Sequence, residues 1–171
     1  MAPCTYDRDQ MMALDQQAFD QDMNGGWRVL ARDPACAAVT ADLIRDYREA
    51  HRLTDTILYW HEGQMRAEAG QYGAAIALFD RSRHAAPDPF GWNLYVDASI
   101  AFLRGDRPAL MRAREALSVL PRPENYEPRD PSGRRLSISW PMNLNVVDAL
   151  IRCFGQSYAR AYACAAPATG N

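Results

Sequence analysis

Two consecutive stretches decide the fold: Thr56 to Pro87, TILYWHEGQMRAEAGQYGAAIALFDRSRHAAP, and Gly91 to Pro121, GWNLYVDASIAFLRGDRPALMRAREALSVLP. Set under each other they keep a common period. Ala75 and Ala109 lie 34 residues apart, as do Ser82 and Ala116, and Pro87 and Pro121. Gly70 and Gly105 are 35 apart, so the second copy has one extra residue before its turn and one fewer after it. A self-similar period of this length points to a stack of small supersecondary units.

Each matching position has its own physical task. Gly70 and Gly105 follow helical stretches, where a left-handed cap is cheap only for glycine. Ala75 and Ala109 are small enough for two helices of a pair to approach closely. Phe79 is expected to fill the space between repeats, where the second copy has only Ala113. Pro87 and Pro121 close the second helix of each pair, because proline cannot continue one. Asp106 is placed to cap a helix that carries Pro108 in its first turn.

These residues resemble the tetratricopeptide repeat family. Gly63, Gly70, Tyr72, Ala75, Phe79 and Pro87 fall on that family's pattern at its spacing, with Ser82 as the late small residue. Tyr59 and Trp60 are candidates for its early aromatic position. The resemblance implies an all-α fold, a right-handed solenoid of antiparallel helix pairs with two recognisable repeats over 56–121. The flanks read as degenerate repeats or caps within one domain over 1–171. N-terminal helices are expected over 7–52, a Pro-rich loop over 121–139, and C-terminal capping helices over 140–166.

Within the flanks, 7–23 carries Met11, Met12, Leu14, Ala18 and Phe19 on one side of a helix. Gly25-Gly26 breaks the chain, a short helix starts near Trp27, and Asp33-Pro34 opens the next. Trp140 to Phe154 reads as another apolar helix, and Gly155-Gln156 echoes Gly70-Gln71 before a short terminal helix from Tyr158. The exception is PRPENYEPRDPSGRRLSIS, residues 121–139, whose four prolines exclude a helix. Loops of this length are usually functional or disordered.

Composition narrows the function. The 171 residues are 48% hydrophobic and 23% charged, as in a globular chain rather than a disordered one. A formal charge of −2 provides no general electrostatic attraction to nucleic acid or to an anionic membrane. All 19 basic residues are arginines. No apolar run approaches the ~20 residues that span a bilayer. Met1 to Gln10 has neither a basic n-region nor an apolar h-region. Cys4, Cys36, Cys153 and Cys164 form no C-x-x-C pair and are expected to be reduced thiols in a cytoplasmic protein.

Catalytic signatures are missing, so the expectation is a non-enzyme without cofactor. His61-Glu62 begins like a zinc-protease motif, but Met65 stands where the second histidine belongs, so no metal is expected. His61 reads as a groove or packing residue, and Cys153 as a small buried hydrophobe.

The resemblance implies instead a protein- or peptide-binding scaffold. In such a solenoid the first helix of each pair lines a concave face, which here offers Trp60, Gln64, Trp92, Tyr95 and Ser99, with Asn145 and Arg152 on the helix after the loop. Tryptophan and tyrosine commonly anchor binding hot spots, but Trp60 and Trp92 can equally pack between helices. The alternative is an anion or nucleic-acid binder using the arginine-rich segment 104–135. Its eight arginines against five acids give +3. The 121–139 loop is expected either to close over the concave face or to occupy it, bringing Arg134 or Arg135 near the aromatics.

Overall fold

The computed structural model describes residues 4–130 and 132–166, and these contain helices and no β-strand. They divide into two units, residues 1–82 and 83–171.

The first unit holds α1 (Arg8–Ala13), a π-helical turn (Gln17–Gln21), α2 (Arg28–Ala31), a 3₁₀ turn (Pro34–Cys36), α3 (Ala37–Ala50), α4 (Thr56–Glu68) and α5 (Tyr72–Arg81). Helix α4 packs against α3 on one side and α5 on the other. The core of α1–α4 centres on Phe19, Trp27, Leu43, Ile44, Tyr47 and Leu58. Phe19 stacks on Tyr47 at 3.6 Å, and the Tyr47 hydroxyl donates to the Leu14 carbonyl at 2.7 Å. Phe79 of α5 is fully buried and stacks on Trp60 of α4 at 4.3 Å.

The second unit holds α6 (Trp92–Leu103), α7 (Arg107–Ser118), α8 (Leu144–Arg152) and α9 (Tyr158–Tyr162). Helices α6, α7 and α8 pack on one another, and α9 packs on α8. Val96, Leu110, Leu117, Val147, Leu150 and Tyr158 are fully buried. Phe102 meets Phe154 edge-on at 5.9 Å.

The two hairpins close in the same way. Gly70 and Gly105 both have left-handed backbone, φ +75° and +70°. In each, the residue after the glycine donates to the carbonyl five positions back: Gln71 N–H to Arg66 at 2.8 Å, Asp106 N–H to Ala101 at 2.9 Å. This bond satisfies one of the carbonyls left over at a helix end. Asp106 then caps α7 by accepting the Ala109 N–H at 2.9 Å, with Pro108 in the first turn. The 34-residue period therefore reflects one local device used twice.

The flanks depart from expectation. Residues 7–23 do not form one helix; the chain breaks after Ala13 and resumes as the π-helical turn. Helix α8 begins at Leu144 rather than near Trp140, because Pro141 and the left-handed Asn143, φ +63°, precede it.

The cysteine reading is overturned. Cys4 pairs with Cys36 and Cys153 with Cys164, at Cα separations of 5.4 and 6.2 Å. Both separations suit a disulfide. The partners are remote in sequence and meet only through helix packing, so the missing C-x-x-C pattern was not diagnostic. With it goes the thiol argument for a cytoplasmic, reducing location. Among the described residues no helix is long and apolar enough to cross a membrane.

Candidate functional site

The residues expected on a concave face have unlike environments. In the first unit Trp60 is 3% exposed and forms part of the core, whereas Gln64 is partly exposed. In the second unit Tyr95 and Ser99 are buried, and the Ser99 hydroxyl donates to the Tyr95 carbonyl at 2.9 Å. Burial, with the neighbouring Tyr158 and Tyr162, pushes the Tyr95 phenol well above its ordinary pKa. Asn145 and Arg152 are exposed on α8, and Arg152 donates to the Cys164 carbonyl at 2.8 Å. Trp92 is partly exposed at the start of α6, which leaves it as the aromatic anchor still reachable from solvent.

Trp92 lines a recess of about 340 Å³ together with His84, Phe90, Tyr126, Pro128, Met142 and Asn143. The His84 ring lies nearly parallel to Trp92, at 5.2 Å and 13°. Asp88 fixes the helix start by accepting the N–H groups of Trp92 and Asn93, at 3.1 and 2.7 Å. The Asn93 carboxamide donates to the His84 carbonyl and accepts the His84 N–H, both at 2.9 Å. These bonds hold the chain before α6 against its first turn, so the His84–Trp92 wall is built into the fold.

The opposite wall comes from the Pro-rich segment. Tyr126 lies 6.1 Å from Phe90 and 4.9 Å from Trp140, whose indole N–H donates to the Leu120 carbonyl at 2.9 Å. Two further recesses, about 470 and 430 Å³, share Tyr126 and Pro128 with the first and add Glu124 and Glu127. The Tyr126 hydroxyl is buried without a hydrogen-bond partner. Among the described residues nothing hydrogen-bonds to the His84 ring nitrogens or to the Asn143 carboxamide. An apolar aromatic recess with a few free polar groups at its edge has the general make-up of a ligand site.

Of its lining, the sequence pointed only to Trp92. Phe90, Tyr126 and Met142 were missed because three separate segments assemble the walls. The one available signal was the pair of aromatics, Tyr126 and Trp140, in a segment too proline-rich for a helix. The loop's expected cation is also different: Arg122, not Arg134 or Arg135, lies over an aromatic ring, 5.4 Å from the centre of Tyr126.

Much of the arginine-rich segment is internally neutralised. Arg114 pairs with Asp148 at 2.9 Å, Arg129 and Arg135 with Glu127 at 2.9 and 2.6 Å, and Arg134 with Asp130 at 3.0 Å. The +3 of residues 104–135 is therefore not displayed as a row of free cations.

The first unit has a polar centre of its own. Asp20, in the π-helical turn, is fully buried and accepts from His61 Nδ1 at 2.7 Å, Trp27 Nε1 at 2.9 Å and Gln21 Nε2 at 2.5 Å. The Asp20 carbonyl takes the guanidinium of Arg28. Burial pushes the Asp20 carboxyl up, but the bond and charge of His61, with Trp27 and Gln21, outweigh it and hold the group below its ordinary value. Nearby, Glu62 meets Arg48 at 3.1 Å and Arg66 at 3.7 Å. The guanidiniums of Arg48 and Arg81 lie 4.3 and 4.2 Å from the centre of the Tyr59 ring. His61 is thus a packing residue with a buried charged partner. Among the described residues no group of three or more His, Cys, Asp or Glu is placed to hold a metal ion.

Comparison of the chain with known protein families, curated proteins and solved structures finds no match.

Proposed function

We propose that this chain is a non-catalytic peptide-binding module whose contact site is the aromatic recess around Trp92. The supporting observation is the recess itself: a prebuilt, mostly apolar cavity with Trp92 reachable and polar groups free at its edge. Its size suits one bulky side chain, and its Trp, Tyr, Phe and Pro lining suits an extended peptide that presents an apolar or proline residue. The helix pairs α4–α5 and α6–α7 act as tetratricopeptide-like repeats, a reading supported by their shared glycine closure. In this arrangement the repeats are the scaffold, and the loop after the second one supplies half of the site.

The test is affinity selection from a random peptide library, followed by titration of the selected peptides against three variants. Binding that Trp92→Ala abolishes, and that Gln64→Ala and Arg152→Ala leave intact, supports the recess. Binding lost instead in Gln64→Ala or Arg152→Ala moves the site to the expected repeat face. Failure to select any peptide sinks the reading.

A further inference from the structure

The Pro-rich segment contains one strand-like edge that nothing in its unit covers. Arg129 and Arg135 face each other across a short antiparallel bridge, held by Leu136 N–H to the Pro128 carbonyl at 2.8 Å and Asp130 N–H to the Arg134 carbonyl at 2.9 Å. In this pattern the facing residues direct their own N–H and C=O groups away from each other. The backbone of Arg135 therefore points outward, and by alternation so do those of Ser137 and Ser139. From Arg135 to Ser139 the chain runs without turn or bend, and each of these residues is exposed. Among the described residues, no hydrogen bond engages the backbone of Ser137, Ile138 or Ser139.

The side chains alternate with the same period. Leu136, Ile138 and Trp140 share one face, Ser137 and Ser139 the other. Leu136 and Ile138 are large apolar residues at 39% and 41% exposure. Folded proteins usually blunt such an edge with charge, proline or cover. Here the charge and the proline stand only at the ends, as Arg134-Arg135 and Pro141.

We infer that the occupant of this edge is the same edge of a second copy, paired antiparallel about a two-fold axis through Ile138. In that register the outward groups of Ser137 meet those of Ser139 of the other copy, and the reverse, giving four backbone hydrogen bonds. Ile138 faces Ile138, and Leu136 faces Trp140, so the apolar face is continuous across both strands. Arg135 falls opposite Pro141, which has no N–H, and the ladder ends there. Charge selects this arrangement as well. Arg135 stands three residues from the axis, so the two copies' arginines lie about 20 Å apart along the ribbon. That exceeds the screening length of about 8 Å at physiological salt. A parallel pairing would set Arg134 and Arg135 beside their own counterparts, where like charges repel. The contact is small, so the dimer is weak and reversible, in the class below roughly 1,200 Å². The proposal is independent of the recess around Trp92.

Sedimentation velocity from about 10 µM to about 1 mM reads the association directly, since this range brackets micromolar to millimolar affinities. The average mass is expected to rise toward twice that of the chain, and Ser137→Pro or Ser139→Pro, each deleting an outward N–H, should hold it at the monomer. The native cysteines are all paired, so Ile138→Cys introduces a single thiol. On mild oxidation it should give a disulfide-linked dimer, whereas Ser132→Cys in the turn should not. A monomer at every concentration, or a dimer indifferent to both proline variants, overturns the proposal. So does a chain that stays monomeric while pairing this edge with a foreign strand. Loss of recess binding in Trp92→Ala with dimerisation intact would leave the proposal standing.

Discussion

Gly63 lies directly under the ring of Phe79: a methyl group at Gly63 would sit 2.7 Å from Cδ1 and 2.8 Å from Cε1. Helices α4 and α5 owe their close approach to that missing side chain. Gly63→Ala should therefore destabilise the protein by about 1–3 kcal/mol, the usual cost of overpacking. That loss opposes the roughly 0.5–1 kcal/mol that alanine ordinarily gains over glycine inside a helix. Adding Phe79→Leu to Gly63→Ala should restore part of the stability. Equal or higher stability of Gly63→Ala in urea unfolding would show that the helices do not depend on this contact.

Phe79 itself should matter more. It is fully buried against Trp60, so Phe79→Ala leaves a cavity and should cost about 3–5 kcal/mol. Thermal unfolding of the two proteins side by side provides the check, and an unchanged midpoint would contradict the packing.

Asp20 links stability to pH. Its carboxyl is held below the ordinary value in the folded chain. The stabilisation is therefore complete above the unfolded value of about 4 and is lost as pH falls through the lower folded value. Asp20→Asn should cost about 3 kcal/mol at neutral pH, because a buried, bonded charge is removed from its partners. It should also flatten the fall in stability below about pH 4. An acid limb identical to that of the wild type would place the linkage elsewhere.

The buried Tyr126 hydroxyl has no partner, which is unfavourable for a polar group. Tyr126→Phe should raise stability by about 1 kcal/mol, read as a higher midpoint in denaturant. If a peptide in the recess bonds that hydroxyl, the same variant should weaken binding while stabilising the free protein. A lower midpoint would mean that the hydroxyl is satisfied in solution.

The two disulfides should differ in weight. They close separations of 32 and 11 residues, for which chain entropy predicts about 4 and about 3 kcal/mol. Replacing Cys4 and Cys36 by serine should then lower the unfolding midpoint more than replacing Cys153 and Cys164. The reverse order would show that packing around the bridges outweighs loop length.

What the sequence revealed follows from how local each interaction is. Gly70, Gly105, Asp106 and Pro108 act within one turn of their own positions, so the two hairpins were legible. Leu14 was misread as mid-helix because its carbonyl is engaged by the Tyr47 hydroxyl, 33 residues away. His61 drew attention as half of a metal motif, yet what fixes its environment is a carboxylate 41 residues earlier. The recess was least legible of all. Trp92 could be named as an aromatic anchor, but Tyr126 and Met142 join it only once the proline-rich segment is laid against α6.

The three left-handed glycines after α4, α6 and α8 carry a stereochemical consequence. Gly70, Gly105 and Gly155 have φ of +75°, +70° and +90°. A side chain at any of them would meet nothing within 4 Å. The obstacle to substitution there is handedness alone, since an L-residue resists this backbone and its mirror image adopts it readily. A D-alanine at Gly70, introduced by chemical ligation, should restrict the unfolded chain without disturbing the folded one. The gain should be about 0.4–1 kcal/mol, whereas L-alanine at the same position should lose stability.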